Sequence, residues 1–182
     1  VTAQFSVSTK NGELKITKRK VTLTSATDEK VYDRTPLTNG RVTVTGDGFV
    51  DGEGAEYDVT GSQTTVGESA NAFTYTLKEG TSADNYTITQ VEGTLKVTPY
   101  TKAVTVTITE HSDEVKYDGE AHNVNGYDVS IEDELYTEGD FSFSGDDSVS
   151  GTNAGKYPMT LSADDFANTN ANFTDVPFGI VD

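Results

Sequence analysis

The segment Asn85–Thr109, NYTITQVEGTLKVTPYTKAVTVTIT, decides how the rest of the chain is read. Tyr86-Thr87-Ile88-Thr89 alternates apolar and polar residues, and Leu95-Lys96-Val97-Thr98 alternates again after Val91-Glu92-Gly93. Period-two alternation marks half-buried strands and the intervening glycine marks a turn, so the stretch reads as a β-hairpin. Pro99-Tyr100 interrupts it, and Ala103–Thr109 opens a new alternating run with Val104, Val106 and Ile108 on one face. A hairpin that closes one unit therefore leads almost directly into a strand that opens the next.

The segment has relatives toward both ends of the chain. Phe5-Ser-Val-Ser-Thr-Lys-Asn-Gly12-Glu-Leu-Lys-Ile-Thr17 aligns without a gap on Tyr86-Thr-Ile-Thr-Gln-Val-Glu-Gly93-Thr-Leu-Lys-Val-Thr98, at an offset of 81. Asn172-Phe173-Thr174 resembles Asn85-Tyr86-Thr87, and Phe178-Gly179-Ile180-Val181 leads toward another turn, with Asp182 standing before the expected return strand. Lys30-Val31-Tyr32-Asp33-Arg34 corresponds to Val115-Lys116-Tyr117-Asp118-Gly119, the tyrosines lying 85 apart. Gly61–Gly67 matches Gly151–Gly155 more loosely, and each precedes an alternating run, Phe73–Leu77 or Tyr157–Leu161.

Landmarks that recur in a fixed order are the signature of a repeat architecture. The predicted organisation is residues 1–17 as the closing hairpin of a preceding repeat, 18–98 as a first β repeat domain, and 99–182 as a second that lacks its last strand. The chain begins in mid-pattern, as a piece excised from a longer array would. Lys18-Arg19-Lys20 and Pro99-Tyr100-Thr101 are the expected short linkers.

Strands are predicted near 14–25, 30–37, 41–46, 55–61, 71–78, 85–90 and 94–98, then near 102–110, 114–118, 127–131, 140–145, 156–162 and 172–181. Turn signals such as Asn39-Gly40, Gly46-Asp47-Gly48 and Asn125-Gly126 separate them. This pattern fits an all-β chain of two tandem antiparallel β-sandwich units of immunoglobulin-like type. The alternative, β-grasp-like units, requires an amphipathic helix, and the one candidate, Ser162–Ala167, is about one turn long.

Composition bounds the function. Hydrophobic residues make up 34% of the 182, thin for one large core and workable for two small ones. Nine Tyr and eight Phe argue against disorder. The net charge of −17 repels nucleic acid and anionic lipid, and no basic stripe offsets it. The charge is uneven: residues 99–182 carry 17 acidic side chains against 3 basic ones. The absence of cysteine excludes disulfides, thiol catalysis and cysteine-ligated zinc. No apolar run approaches membrane-spanning length, so no membrane insertion is expected of this segment.

Candidate chemistry is sparse. His111 and His122 stand eleven apart with no third ligand at zinc-site spacing. No strained Gly-Xaa-Ser-Xaa-Gly elbow appears, and no glycine-rich loop leads into a helix. Asp47-Gly48-Phe49-Val50-Asp51-Gly52-Glu53 is the best acidic cluster for calcium, ahead of Asp146-Asp147 and Asp164-Asp165, and none reproduces a full calcium loop. Tyr32-Asp33 and Tyr117-Asp118 pair an aromatic with an acid; packing by the tyrosine and turn capping by the aspartate is the expected role. Lys20 and Lys102, with Asn85 and Asn172, are the candidates for an isopeptide crosslink, which needs a desolvated amine beside the amide. Tyr136 and Phe49, in turn-like regions, are the aromatics most open to a ligand. The expectation is a non-catalytic chain with no catalytic, cofactor-binding or metal site and no cofactor.

The Tyr-Asp-Gly of 117–119, the Thr-Gly-Ser-Gln-Thr of 60–64 leading to Val66-Gly67, and the Gly-Thr-Leu-Lys-Val-Thr-Pro of 93–99 together resemble the YDG/MBG-type tandem repeats of bacterial cell-surface proteins and adhesins. The resemblance covers both units, and the first unit departs from it with Arg34 where the motif has glycine. It implies an extracellular, cell-wall-associated stalk or spacer in adhesion, whose partners are neighbouring repeats of the same chain. A binding module for a host protein or glycan is the alternative. It supplies no catalytic residues.

Overall fold

A computed structural model describes Gln4 and residues 6–181. In chain order the strands are β1 (Arg19–Ser25), β2 (Asp28–Val31), β3 (Val42–Gly46), β4 (Ala55–Val59), β5 (Gly67–Asn71), β6 (Phe73–Leu77), β7 (Tyr86–Val91) and β8 (Gly93–Thr98). They continue as β9 (Val106–Glu110), β10 (His122–Asn125), β11 (Tyr127–Ile131), β12 (Phe141–Phe143), β13 (Ser148–Gly151), β14 (Phe166–Asn168) and β15 (Phe178–Val181). The only helical turns among the described residues are three single 3₁₀ turns, at Ala83–Asn85, Glu138–Asp140 and Ala163–Asp165. The chain is all-β, and the amphipathic helix that a β-grasp unit requires is replaced at Ser162–Ala167 by one of these turns.

The expected hairpin is not formed. β7 and β8 both exist, but β7 pairs in parallel with β1 in the sheet β3-β1-β7, while β8 lies between β2 and β5 in a second sheet. One residue, Glu92, separates the two strands, and a tight hairpin needs at least two. The chain instead turns a corner from one sheet into the other. β1 turns the same corner at Ala26-Thr27 to become β2, so two parallel ribbons bend together.

That corner is specified by small and polar side chains. A Cβ on Gly93 would lie 2.3 Å from the Ala26 carbonyl oxygen and 2.5 Å from that of Ser25, so only glycine lets the ribbons touch. The Ser25 hydroxyl accepts the Gly93 N–H at 2.9 Å and donates to the Asn71 carbonyl at 2.6 Å. The Asn71 amide donates to Ala26 O at 3.0 Å and to Asn39 O at 2.8 Å. Ser25 and Asn71 are both buried; the Ser25 hydroxyl and the Asn71 amide nitrogen are bonded, as buried polar groups require, while the Asn71 side-chain oxygen has no partner among the described residues.

The sheets are mixed, which corrects the expectation of purely antiparallel layers. β9 has β11 as its antiparallel and β15 as its parallel neighbour, as β1 has β3 and β7. The bridge Tyr100↔Phe173 stands where β1 and β7 pair Arg19↔Tyr86, and it is also parallel. The remaining strands form two-stranded sheets, β4-β6, β10-β13 and β12-β14.

Other expectations fail locally. Gln4 and residues 6–18 carry no strand and are exposed, so no closing hairpin forms there among the described residues; residues 1–3 and 5 of that predicted hairpin lie outside them. Arg19 and Lys20 belong to β1 rather than to a linker. Residues 114–118 and 156–162 are not strands, while β5, β10, β13 and β14 were not anticipated, all being short and the first three rich in Ser, Asn and Gly.

Apolar side chains gather in two clusters. The smaller contains Val21, Leu23, Phe73 and Tyr86. The larger takes Tyr32, Leu37, Leu95 and Val97 from before Pro99, and Val104, Val106, Ile108, Tyr136, Leu161, Phe166 and Phe173 from after it. Gly93→Ala is expected to cost about 1–3 kcal/mol through overpacking and to lower Tm by roughly 2–4 °C per kcal/mol for a chain of this size. Gly12, the matching position upstream, has nothing within 4 Å of its Cβ site. Gly12→Ala should therefore leave Tm unchanged in the same thermal melts.

Candidate functional site

The most constructed constellation lies where the two halves of the chain meet. The Phe173 ring receives Tyr32 at 5.5 Å, Tyr100 at 5.5 Å and Tyr136 at 5.0 Å between centroids, with interplanar angles of 85°, 63° and 89°. Such edge-on contacts set the positive rim of one ring against the negative face of another. Tyr32 is held by its N–H to Thr98 O at 2.9 Å, and Tyr100 exchanges backbone bonds with Asn172 and Thr174. The Tyr136 hydroxyl donates to the Asp140 carbonyl at 2.9 Å.

A polar collar surrounds the rings. Arg34 donates to the Leu135 carbonyl at 2.6 Å and forms an ion pair with Asp140. Asp140 also accepts the Thr137 N–H at 2.8 Å and the Asn170 amide at 2.7 Å. The Val66 N–H donates to the Asn172 side-chain oxygen at 2.7 Å. Burial by itself raises the Asp140 pKa; hydrogen bonds from Asn170 and Thr137, with the Arg34 charge, more than offset this and hold it below the ordinary carboxylate value. Asp133 is likewise lowered, first by the Tyr100 hydroxyl bonded to it at 2.5 Å and then by the Leu135 N–H, with Lys102 3.6 Å away.

Arg34 reaches Asp140 from a left-handed backbone, φ 64, and Gly119 in the matching Tyr-Asp-Gly turn has φ 88. The turn thus keeps its geometry with arginine in place of glycine. A left-handed non-glycine residue costs of order 1–2 kcal/mol, offset here by the bonds that the guanidinium gains.

The residues singled out in the sequence are dispersed. His111 sits between the Asn125 carbonyl at 3.0 Å and the Asp128 carboxylate at 3.2 Å, while His122 faces Asp118 at 2.9 Å. No group of three potential metal ligands occurs among the described residues. In the Asp47–Glu53 loop, Asp47 accepts the Lys20 N–H at 2.8 Å and Glu53 accepts the Tyr86 hydroxyl, so the two acids have separate structural partners. Asp146 caps Ser148, and Asp165 closes a capping box with Ser162.

Asp33 caps Thr35 and pairs with Lys30 at 2.6 Å, which brings its pKa down to about 2, the Lys30 bond being the largest cause. Tyr32 is buried, but Tyr117 is 69% exposed. Tyr136 is buried at 2% exposure, which removes it as an open ligand platform, and Phe49 is half-buried against Tyr86. Lys102 is 75% exposed beside Asp133, and the Asn172 amide is engaged by Val66 and Asn170; Lys20 and Asn85 are both exposed. The desolvated amine that an isopeptide bond requires is missing from both pairs.

Sequence reasoning did not find Asp140, Asn170 or the Asn172–Val66 bond, whose partners lie about a hundred residues apart. The one available signal was arginine standing in the glycine position of a turn motif. Comparison with family profiles, curated proteins and solved structures gave no match to this chain.

Because the Asp140 pKa is depressed in the fold, its contribution to stability is complete above the ordinary carboxylate value of 3.8 and is lost as pH falls through the lower folded value. Asp140→Asn is expected to cost about 1–3 kcal/mol at neutral pH, as loss of charged hydrogen bonds does. It should also flatten this acid limb in denaturant titrations run at stepped pH.

Proposed function

We propose that the chain is a non-catalytic repeat module of a bacterial cell-surface protein, a spacer whose successive sandwich-type units dock rigidly on one another. The observation that carries this reading is the single apolar cluster drawing residues from both sides of Pro99. Freely jointed units would end in polar faces; here Tyr32 and Leu37 are buried together with Phe173 and Tyr136. The Arg34–Asp140 and Val66–Asn172 contacts add directional bonds that oppose rotation about the junction. The matching neighbours of β1 and β9, together with the paired sequence landmarks, support the tandem-repeat reading and the likeness to YDG/MBG-type repeats. The extracellular, cell-wall-associated location is what the likeness to those repeats implies.

A spacer transmits position, and its figure of merit is stiffness. Small-angle scattering from the full chain should fit one rigid body, and Phe173→Ala, which removes the ring shared by three tyrosines, should loosen it toward two reorienting bodies. A truncation of this kind costs about 3–5 kcal/mol in a packed core. Scattering from the unaltered chain that demands two freely reorienting bodies would refute the spacer reading.

A further inference from the structure

The second half of the molecule contains a slot whose counterpart in the first half is filled by β8. In the first half, Asp28-Glu29-Lys30-Val31 pairs in parallel with Leu95-Lys96-Val97-Thr98, residue for residue. The corresponding Asp113-Glu114-Val115-Lys116 has no strand partner among the described residues, and Val115 is 50% exposed. Beside it lies a cleft of about 300 Å³ lined by Glu110, Val124, Val149, Tyr157 and Met159. Glu110 occupies the place of Ser25, as Tyr127↔Glu110 in β11–β9 corresponds to Val42↔Ser25 in β3–β1.

The chain also carries an unpaired copy of the strand that would fit. Gly12-Glu-Leu-Lys-Ile-Thr17 reproduces the Gly93-Thr-Leu-Lys-Val-Thr98 of β8. In β8, Leu95 and Val97 are completely buried, whereas Leu14 and Ile16 are 87% and 86% exposed. Among the described residues, two matched halves of one interaction are therefore both open.

We propose that residues 12–17 of one copy add as a strand to the slot of a second copy, giving head-to-tail association. The register is that of the β2–β8 pair: Asp113 opposite Leu14, Glu114 opposite Lys15, Val115 opposite Ile16 and Lys116 opposite Thr17. Strand addition supplies main-chain hydrogen bonds while alternate side chains enter the cleft, which gives Leu14 and Ile16 the burial that Leu95 and Val97 have. Charge favours the pairing. The donor brings Lys10, Lys15 and Lys18, followed by Arg19 and Lys20, to a half that carries 17 acidic and 3 basic residues. Glu114 against Lys15 repeats the Glu29–Lys96 ion pair, 3.4 Å in the first half.

The junction inside the chain is the template for the one between copies. There β8 ends at Thr98 and the following residue but one, Tyr100, meets Phe173, with Tyr32 packed on the same ring. In the copy that donates the strand, residues 12–17 end just before Arg19, which pairs with Tyr86, and in the copy that offers the slot the exposed Tyr117 is the counterpart of Tyr32. A cleft of about 310 Å³ lined by Ile16, Val50, Glu53 and Tyr86 opens at that end. Because donor and slot are different surfaces, the contact is heterologous and each copy added leaves one of each free.

Sedimentation of the 182-residue chain over a wide concentration range tests this. The expected result is a weight-average mass that climbs past twice that of the monomer. Leu14→Asp/Ile16→Asp, made at exposed positions, should remain monomeric. Val115→Pro removes the slot N–H equivalent to that of Lys30, which shares its parity with the Tyr32 N–H bonded to Thr98, and should also remain monomeric. Mixed together, the donor variant and the slot variant retain one intact slot and one intact donor, so they should form a one-to-one dimer that grows no further. An unaltered chain that stays monomeric throughout, association that survives Leu14→Asp/Ile16→Asp, or a mixture that yields no dimer would each overturn the proposal.

Discussion

Two parallel ribbons must turn the same corner, and the first half of the molecule depends on that constraint. β1 becomes β2 and β7 becomes β8 while the two chains stay in contact, so their backbones approach closer than any side chain on Gly93 would permit. Bending also removes backbone groups from the strand ladders. The Ser25 hydroxyl and the Asn71 amide supply replacement partners to Gly93, Ala26 and Asn39. The corner places Val21 and Leu23 in one apolar cluster and Leu95 and Val97 in the other. β1 and β7 thus feed one core and β8, past the corner, the other.

The same economy appears at the junction. β8 emerges from its sheet at Thr98, and within two residues the chain is bridged to Phe173. A connection this short leaves little freedom, and the tyrosines at 32, 100 and 136 close on one phenylalanine ring from three sides. Arg34 and Asp140 pair beside these rings, each with additional hydrogen bonds, which is the condition under which a partly buried ion pair contributes rather than costs. Packing and hydrogen bonds hold these segments together in a chain without cysteine.

Much of the fold was legible in the residues. Alternation located β1, β3, β4, β6, β7, β8, β9 and β11, because a strand with one buried face writes its period directly into the sequence. The all-β class followed from the same evidence. The short strands β5, β10 and β13 left no such trace: their burial alternates, but Ser, Asn and Gly fill most of their positions, so no apolar period marks them. At the site, the aromatic and acidic members were visible as residues, but their roles were not. Tyr32 and Tyr117 occupy matching motifs, yet one is buried under Phe173 and the other faces solvent.

The sequence by itself determined the strand-forming runs, the glycine turns and the matched landmarks, all of which are properties of neighbours along the chain. Asn85–Thr109 was correctly two strands and a third, with a break at Pro99. Only the tertiary structure decided that the first two belong to different sheets and pair in parallel with β1 and β2, more than sixty residues upstream. Alternation specifies which face of a strand is buried and is silent on which strand lies beside it. That choice rests on backbone hydrogen bonds, which every residue offers alike, and on the fit of one glycine against two carbonyl groups.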